Sequence, residues 1–257
     1  MIFVKTYASL PPPDREEICA YAGVRRCTAD SDAMLEKALA LCADAFQPRL
    51  CYALFPLTEE VSERALPTVG AIEKTSERTL PTVGAIEKMS ERTLPIAGAI
   101  EKASEITLPI AGAVEKVHRL FLGTHPLPGQ ALSRHLQNCP KVILFTATVG
   151  LTIDRMIQRH FVTEPAIAVW LNAIGSERVE ALCRLFCTEL KADYAAEGLV
   201  PIERFSPGYG DLPLAFQKDI FTLLDCPRKI GVTLNQSLLM SPEKSVSALV
   251  GLRPTEQ

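Results

Sequence analysis

Glu203-Arg-Phe-Ser-Pro-Gly-Tyr-Gly-Asp-Leu-Pro213 is the chemically densest stretch of the chain. The run Leu199 to Phe205 that leads into it reads as a strand. Pro207-Gly208 reads as a tight turn, and Asp211 as a helix start with Pro213 in its first turn and the helix continuing to Leu224. Such a corner can hold a small polar ligand. Arg204 offers a planar fork that grips a carboxylate with two hydrogen bonds. Gly208 and Gly210 permit close approach of a ligand to the backbone, and Tyr209 can pack or hydrogen-bond. On these residues alone, a structural turn carrying a surface arginine is an equally good reading.

Outward from this corner, helical and strand patterns alternate irregularly. Upstream, Glu164 to Tyr194 is a long helix with Trp170, Val179, Leu182, Leu185 and Phe186 on its core face, preceded by a helix over Thr152 to Phe161. Lys141 to Val149 is a buried strand rich in β-branched residues, and Gly129 to Asn138 a short helix. Asp14 to Ala22 and Asp30 to Ala45 carry helical apolar spacing behind acidic caps. Downstream, strands are expected around Gly231 to Met240 and over Ser245 to Leu252. This mixture predicts an α+β fold.

Between two further strands, Arg49 to Leu57 and Val117 to Leu122, the chain repeats itself with a period of fourteen. Four copies fill 61–116, and the first two are identical at twelve of fourteen positions. Each copy carries a proline (67, 81, 95, 109) followed three residues later by a glycine (70, 84, 98, 112), which limits a continuous helix to about one unit. The expectation is a mobile or loosely helical insertion at a hairpin tip within a single domain of residues 1–257, with a partner-binding arm as the other reading. The sheet-forming parts tolerate such growth because loop-closure entropy rises slowly with length.

The composition narrows the function. With 27 Lys+Arg against 30 Asp+Glu the formal charge is −3, without blocks of like charge, so a nucleic-acid partner is not expected. The longest apolar runs fall far short of the ~20 residues of a membrane span, and the start Met1-Ile-Phe-Val-Lys-Thr lacks the pattern of a signal peptide. A cytoplasmic protein is expected, and its eight scattered cysteines fit reduced, mostly buried thiols. Cys183 and Cys187, four apart on one helical face, read as core residues. No nucleophile elbow, phosphate loop, dinucleotide loop or zinc-protease motif is present. The four histidines (118, 125, 135, 160) stand apart from carboxylates and cysteines in sequence.

Arg204-Phe-Ser-Pro-Gly208-Tyr209 resembles the Arg-x-x-x-Gly-Tyr signature of the S-adenosylmethionine-binding activation (reactivation) domain of cobalamin-dependent methionine synthase. A second segment in the expected order, Gly231-Val-Thr-Leu-Asn-Gln-Ser-Leu-Leu-Met240-Ser-Pro-Glu-Lys-Ser-Val-Ser247, is similar to that family's Gly-x-x-Leu-Thr-Glu-Ser-x-x-Met-x-Pro-x-x-Ser-Val-Ser stretch. The similarity runs from about Gly129 to Leu252, and the amino-terminal part resembles short, free-standing versions of the domain. The fold implied is a bent antiparallel sheet flanked by helices. The function implied is that of a reactivation subunit. With S-adenosylmethionine bound, it supports reductive methylation of cob(II)alamin carried by a partner methionine synthase that lacks its own activation domain, with an electron donor such as flavodoxin or ferredoxin.

Carried over by the resemblance, Arg204 binds the carboxylate of the methionine moiety and the Phe205 backbone holds the adenine edge. Gly208 shapes the turn, Tyr209 lies beside the sulfonium, and Glu180 on the long helix meets the ligand's ammonium group. Met240, Ser245 and Ser247 are sheet and core elements near the site. Gln236 stands where the family usually has Glu, and Asn235 where it has Thr, so no carboxylate role is carried over there. The cobalamin-binding pattern Asp-x-His-x-x-Gly is absent, which puts the corrinoid on the partner. A non-catalytic docking scaffold for a corrinoid protein is the alternative reading. An ordinary methyltransferase is the weakest, for want of a glycine-rich strand-to-helix loop.

Overall fold

The chain is described by a computed structural model over residues 1–24, 28–65, 114–123 and 125–255, with only the backbone described at 61–65 and 114–119. It divides into two compact units, Met1–Glu60 with His118–Gln257, and Val61–Val117. The larger unit is built on β5 (Lys141–Thr148), whose eight residues pair antiparallel with β2 (Arg49–Ala65) on one side and β9 (Ser245–Pro254) on the other. β1 (Ile2–Thr6) and β3 (Val114–Leu122) are both partners of β2, and the two-residue β4 (His125–Pro126) extends β3. β6 (Leu199–Pro201) closes the other edge against β9, giving a seven-stranded sheet.

Helices cover both faces, so β5 is buried from Val142 to Thr148 and does not alternate between buried and exposed residues. Ile143, Phe145 and Ala147 face a core shared with α1 (Arg15–Tyr21), α2 (Ala29–Leu41), α4 (Thr152–Thr163) and α5 (Pro165–Ala195). Val142 and Leu144 face the opposite core, with α3 (Gln130–His135), α6 (Gln217–Leu224) and α7 (Cys226–Ile230). Packing on this second side is close. A Cβ on Gly251 of β9 would lie 2.7 Å from Cys139 Sγ and 2.9 Å from Leu136 Cδ2.

The expected α+β architecture is thus the one observed, with differences at the ends of elements. β1 was not anticipated, because five residues at the amino terminus show too short a pattern to read. β2 and β3 extend beyond their apolar runs into the first and last repeat copies. The remainder of 61–116, with the expected helical insertion, lies outside the described residues. The helix expected from Pro213 begins as a 3-10 turn over Leu214–Phe216 before α6. Only a small antiparallel ladder forms within 231–241, β7 (Thr233–Leu234) with β8 (Met240–Ser241). Asn235 explains the interruption: its Oδ1 accepts the Leu239 N–H at 2.9 Å and its own N–H reaches Leu239 O, turning the chain through Leu238 at φ 64°.

Candidate ligand site on the Arg204 turn

The direction of Arg204 is set by one extra residue. Pro201 pairs with Leu252, but Phe205 pairs with Leu249, so three residues (202–204) stand opposite two (250–251). Such a β-bulge exchanges the faces of the residues that follow it. Without it Phe205 would face α5. With it, Phe205 enters the core of α3 and α6, and Arg204 turns to the α5 side.

There the guanidinium meets Glu180 in a partly buried ion pair, Nη2 donating to Oε2. The neighbouring thiols Cys183 and Cys187 lie one and two turns along the same helix. Burial alone would lower the Arg204 pKa, yet Cys183 and Glu180 together hold it above its ordinary value. Burial pushes the Cys183 thiol up to about 12, and Cys187 upward as well, so neither ionises at neutral pH. The second terminal nitrogen, Arg204 Nη1, is buried and has no hydrogen-bond partner among the described residues. Tyr21, at the end of α1, is also near: burial first, then the charge of Glu180, raises its pKa.

The remaining residues of the signature sit on the turn. Phe205 exchanges both backbone hydrogen bonds with Leu249 at 2.8 Å. Its N–H is therefore taken, and the second lone pair of its carbonyl is what it retains for another partner. Its ring packs edge-on to Tyr209 at 5.3 Å and tilted to His135 at 5.2 Å. Gly208 is at φ +90°, a conformation open to glycine and costly for other residues, and its N–H reaches Leu212 O at 2.9 Å. Tyr209 is 70% exposed at the lip of the turn.

Two residues at this turn escaped sequence reading. Asp211 does not start the helix that follows it. Its carboxylate accepts the N–H groups of Gln130 (2.6 Å) and Ala131 (3.0 Å) at the beginning of α3, where Gly129 offers no capping side chain. His135, which looked isolated, places Nε2 2.6 Å from Glu203 O and so supports the bulge from α3. No signal in the sequence links either residue to its partner. Cys183 is in the core as expected, and Cys187 is half-buried against it. Met240 packs at the edge of the α3 and α6 core, and Ser245 donates to Thr148 Oγ1 or Pro242 O, so both are structural. Among the described residues there is no cluster that could hold a metal ion, and no helix is long and apolar enough to cross a membrane.

Residues 192–257 match the family model of the vitamin B12 dependent methionine synthase activation domain. No curated protein matches the chain. Among solved structures, the chain is similar to the MetH reactivation domain bound to AdoHcy, at a TM-score of 0.54 and 13% identity, over 100% of this chain and 80% of that one. Residues 192–257, from the last turn of α5 to the carboxy-terminal end, thus carry the activation-domain sequence pattern, and the chain has the reactivation-domain fold.

Proposed function

We propose that this chain, with its activation-domain segment and reactivation-domain fold, is an S-adenosylmethionine-binding reactivation subunit for a partner cobalamin-dependent methionine synthase. One observation carries the reading: the bulge sets Arg204 against Glu180, a cation and an anion in contact at the rim of the turn. An α-amino acid zwitterion presents the complementary pair of charges. Its carboxylate would take the Arg204 fork, including the unpartnered Nη1, and its ammonium group would take Glu180.

S-adenosylmethionine supplies a methyl group on a sulfonium, and the chain's own residues need only hold and orient that ligand. Arg204 and Glu180 fix its amino-acid end. The Phe205 carbonyl keeps one lone pair for an adenine amine, and Gly208 lets the ligand approach the backbone. Tyr209, exposed beside Phe205, would flank the sulfonium and face the corrinoid-bearing partner. Placement and exclusion of water are the contributions required, without acid–base chemistry from this chain.

Isothermal titration of the purified chain with S-adenosylmethionine tests the assignment. Saturable binding is expected, weakened about 100-fold in Arg204→Ala and about tenfold in Glu180→Gln, as lost charged hydrogen bonds imply. Undiminished affinity in Arg204→Ala would remove the site from this turn. A pull-down with methionine synthase lacking its own activation domain tests the partner, and retention only when Tyr209 is intact would place the docking face.

A further inference from the structure

Cys51 of β2 and Cys226 at the start of α7 are 175 residues apart in sequence, with their sulfurs 3.8 Å apart. Both are fully buried. Cys226 Sγ also lies 3.3 Å from Thr146 Oγ1, and Thr146 stands opposite Cys51 in the β2–β5 register. Ser247, opposite Thr146 on β9, has a buried hydroxyl with no partner among the described residues. Cys51, Thr146 and Ser247 therefore form a polar row across three strands of an otherwise apolar core, with Cys226 above it.

We propose that Cys51 and Cys226 are a reversible redox site that a hydroperoxide converts to a disulfide joining β2 to α7. In the first step the Cys226 thiolate attacks the peroxide O–O bond. A sulfenic acid forms and the departing hydroxide takes up the thiol's proton as water. The Cys51 sulfur then attacks the sulfenic sulfur, forming the S–S bond and releasing the second water. Two thiols and one hydrogen peroxide thus give one disulfide and two waters, with two electrons passing from sulfur to oxygen. Two small-molecule thiols reverse the reaction by exchange, through a mixed disulfide, and leave as their own disulfide.

The order of attack follows from the contacts. The hydrogen bond from the Cys51 thiol lowers the Cys226 pKa, burial opposes this, and Thr146 adds to the lowering. The same contact, together with burial, raises Cys51. With Cys51 donating to Cys226, the geometry makes Cys226 the attacking sulfur and Cys51 the resolving thiol. Bond formation requires the sulfurs to close from 3.8 Å to about 2.0 Å. α7 is five residues long and bounded by left-handed residues, Asp225 (φ 50°) and Gly231 (φ 71°), so Cys226 sits on a short unit with a turn at each end.

The test treats the folded full chain with hydrogen peroxide, blocks free thiols, and maps the digest by mass spectrometry without reduction. The expected product is a Cys51 peptide joined to a Cys226 peptide, removed by dithiothreitol. Cys51→Ser should halt the reaction at a dimedone-reactive Cys226. The half-buried Cys187 serves as the internal control for exposure to oxidant. If Cys187 is oxidised while Cys51 and Cys226 are both recovered as thiols, or if either is joined to another cysteine, the proposal is wrong. The wild-type map decides the matter even if the variant fails to fold.

Discussion

Asp211 fastens the signature turn to α3 by accepting two backbone N–H groups, and the bond from Ala131, followed by that from Gln130, holds its carboxyl below the usual aspartate range. A carboxylate with a lowered pKa in the folded state contributes stability that is complete above its unfolded value, about 4. That stability is lost as the pH falls through the folded value. Asp211→Asn should therefore melt at a lower temperature than the wild type at neutral pH, and the two melting curves should converge under acid. Equal separation at every pH would show that the charge is immaterial. Arg204, Phe205, Gly208 and Tyr209 stand out in the sequence as candidates because they fall within six residues and are chemically distinctive. Asp211 was assigned to the wrong helix because Pro213, two residues on, imitates a helix start. The true acceptor relation spans eighty residues and leaves no local trace.

At the scale of elements, α5 organises the site from within. Besides Glu180 and Cys183 it carries a buried ion pair between neighbours, Glu177 and Arg178, with side chains 1% and 6% exposed. Arg178 donates two bonds to Glu177 and also bonds Pro11 O at 2.5 Å and Pro12 O at 3.2 Å, tying the loop before α1 to the helix. Removing Arg178 leaves the buried Glu177 with only the half-exposed Arg184, 3.4 Å away, as a cationic partner, and breaking a buried pair costs about 3–5 kcal/mol. Arg178→Met should lose about that much in urea denaturation, whereas Glu177→Leu combined with Arg178→Met should lose less. A double variant no better than the single would mean that the contacts to Pro11 and Pro12 dominate. The length of α5 and most of its core face could be read from its apolar spacing, since thirty-one residues give many turns of evidence; Leu185, expected on that face, is instead only half-buried and outside the core. The β-bulge before Phe205 could not: it depends on how β9 pairs, and local residue preferences do not encode the register of a partner fifty residues away.

Considered whole, the chain joins a helix-covered antiparallel sheet to a repetitive segment of different character. The sheet, both helical layers and every candidate ligand contact belong to the unit formed by Met1–Glu60 and His118–Gln257, and Val61–Val117 is a compact unit by itself. β2 and β3, which flank the interruption, are neighbours in the sheet, with the Gly123 N–H reaching Pro56 O. Replacing 61–116 by an Asn-Gly turn should therefore leave the fold intact, because a two-residue connection suits an antiparallel pair and shortening a loop changes closure entropy only slowly. The shortened chain is expected to keep its melting temperature within a few degrees and its S-adenosylmethionine affinity within about twofold. Its capture of a corrinoid-bearing methionine synthase then separates the two roles open to the repeats. Unchanged capture would make them an expansion tolerated between two strands, and lost capture with ligand binding preserved would make them the arm that holds the partner. Loss of ligand binding would instead mean that the repeats help to build the site, contrary to its construction from α5, the bulge and the Arg204 turn.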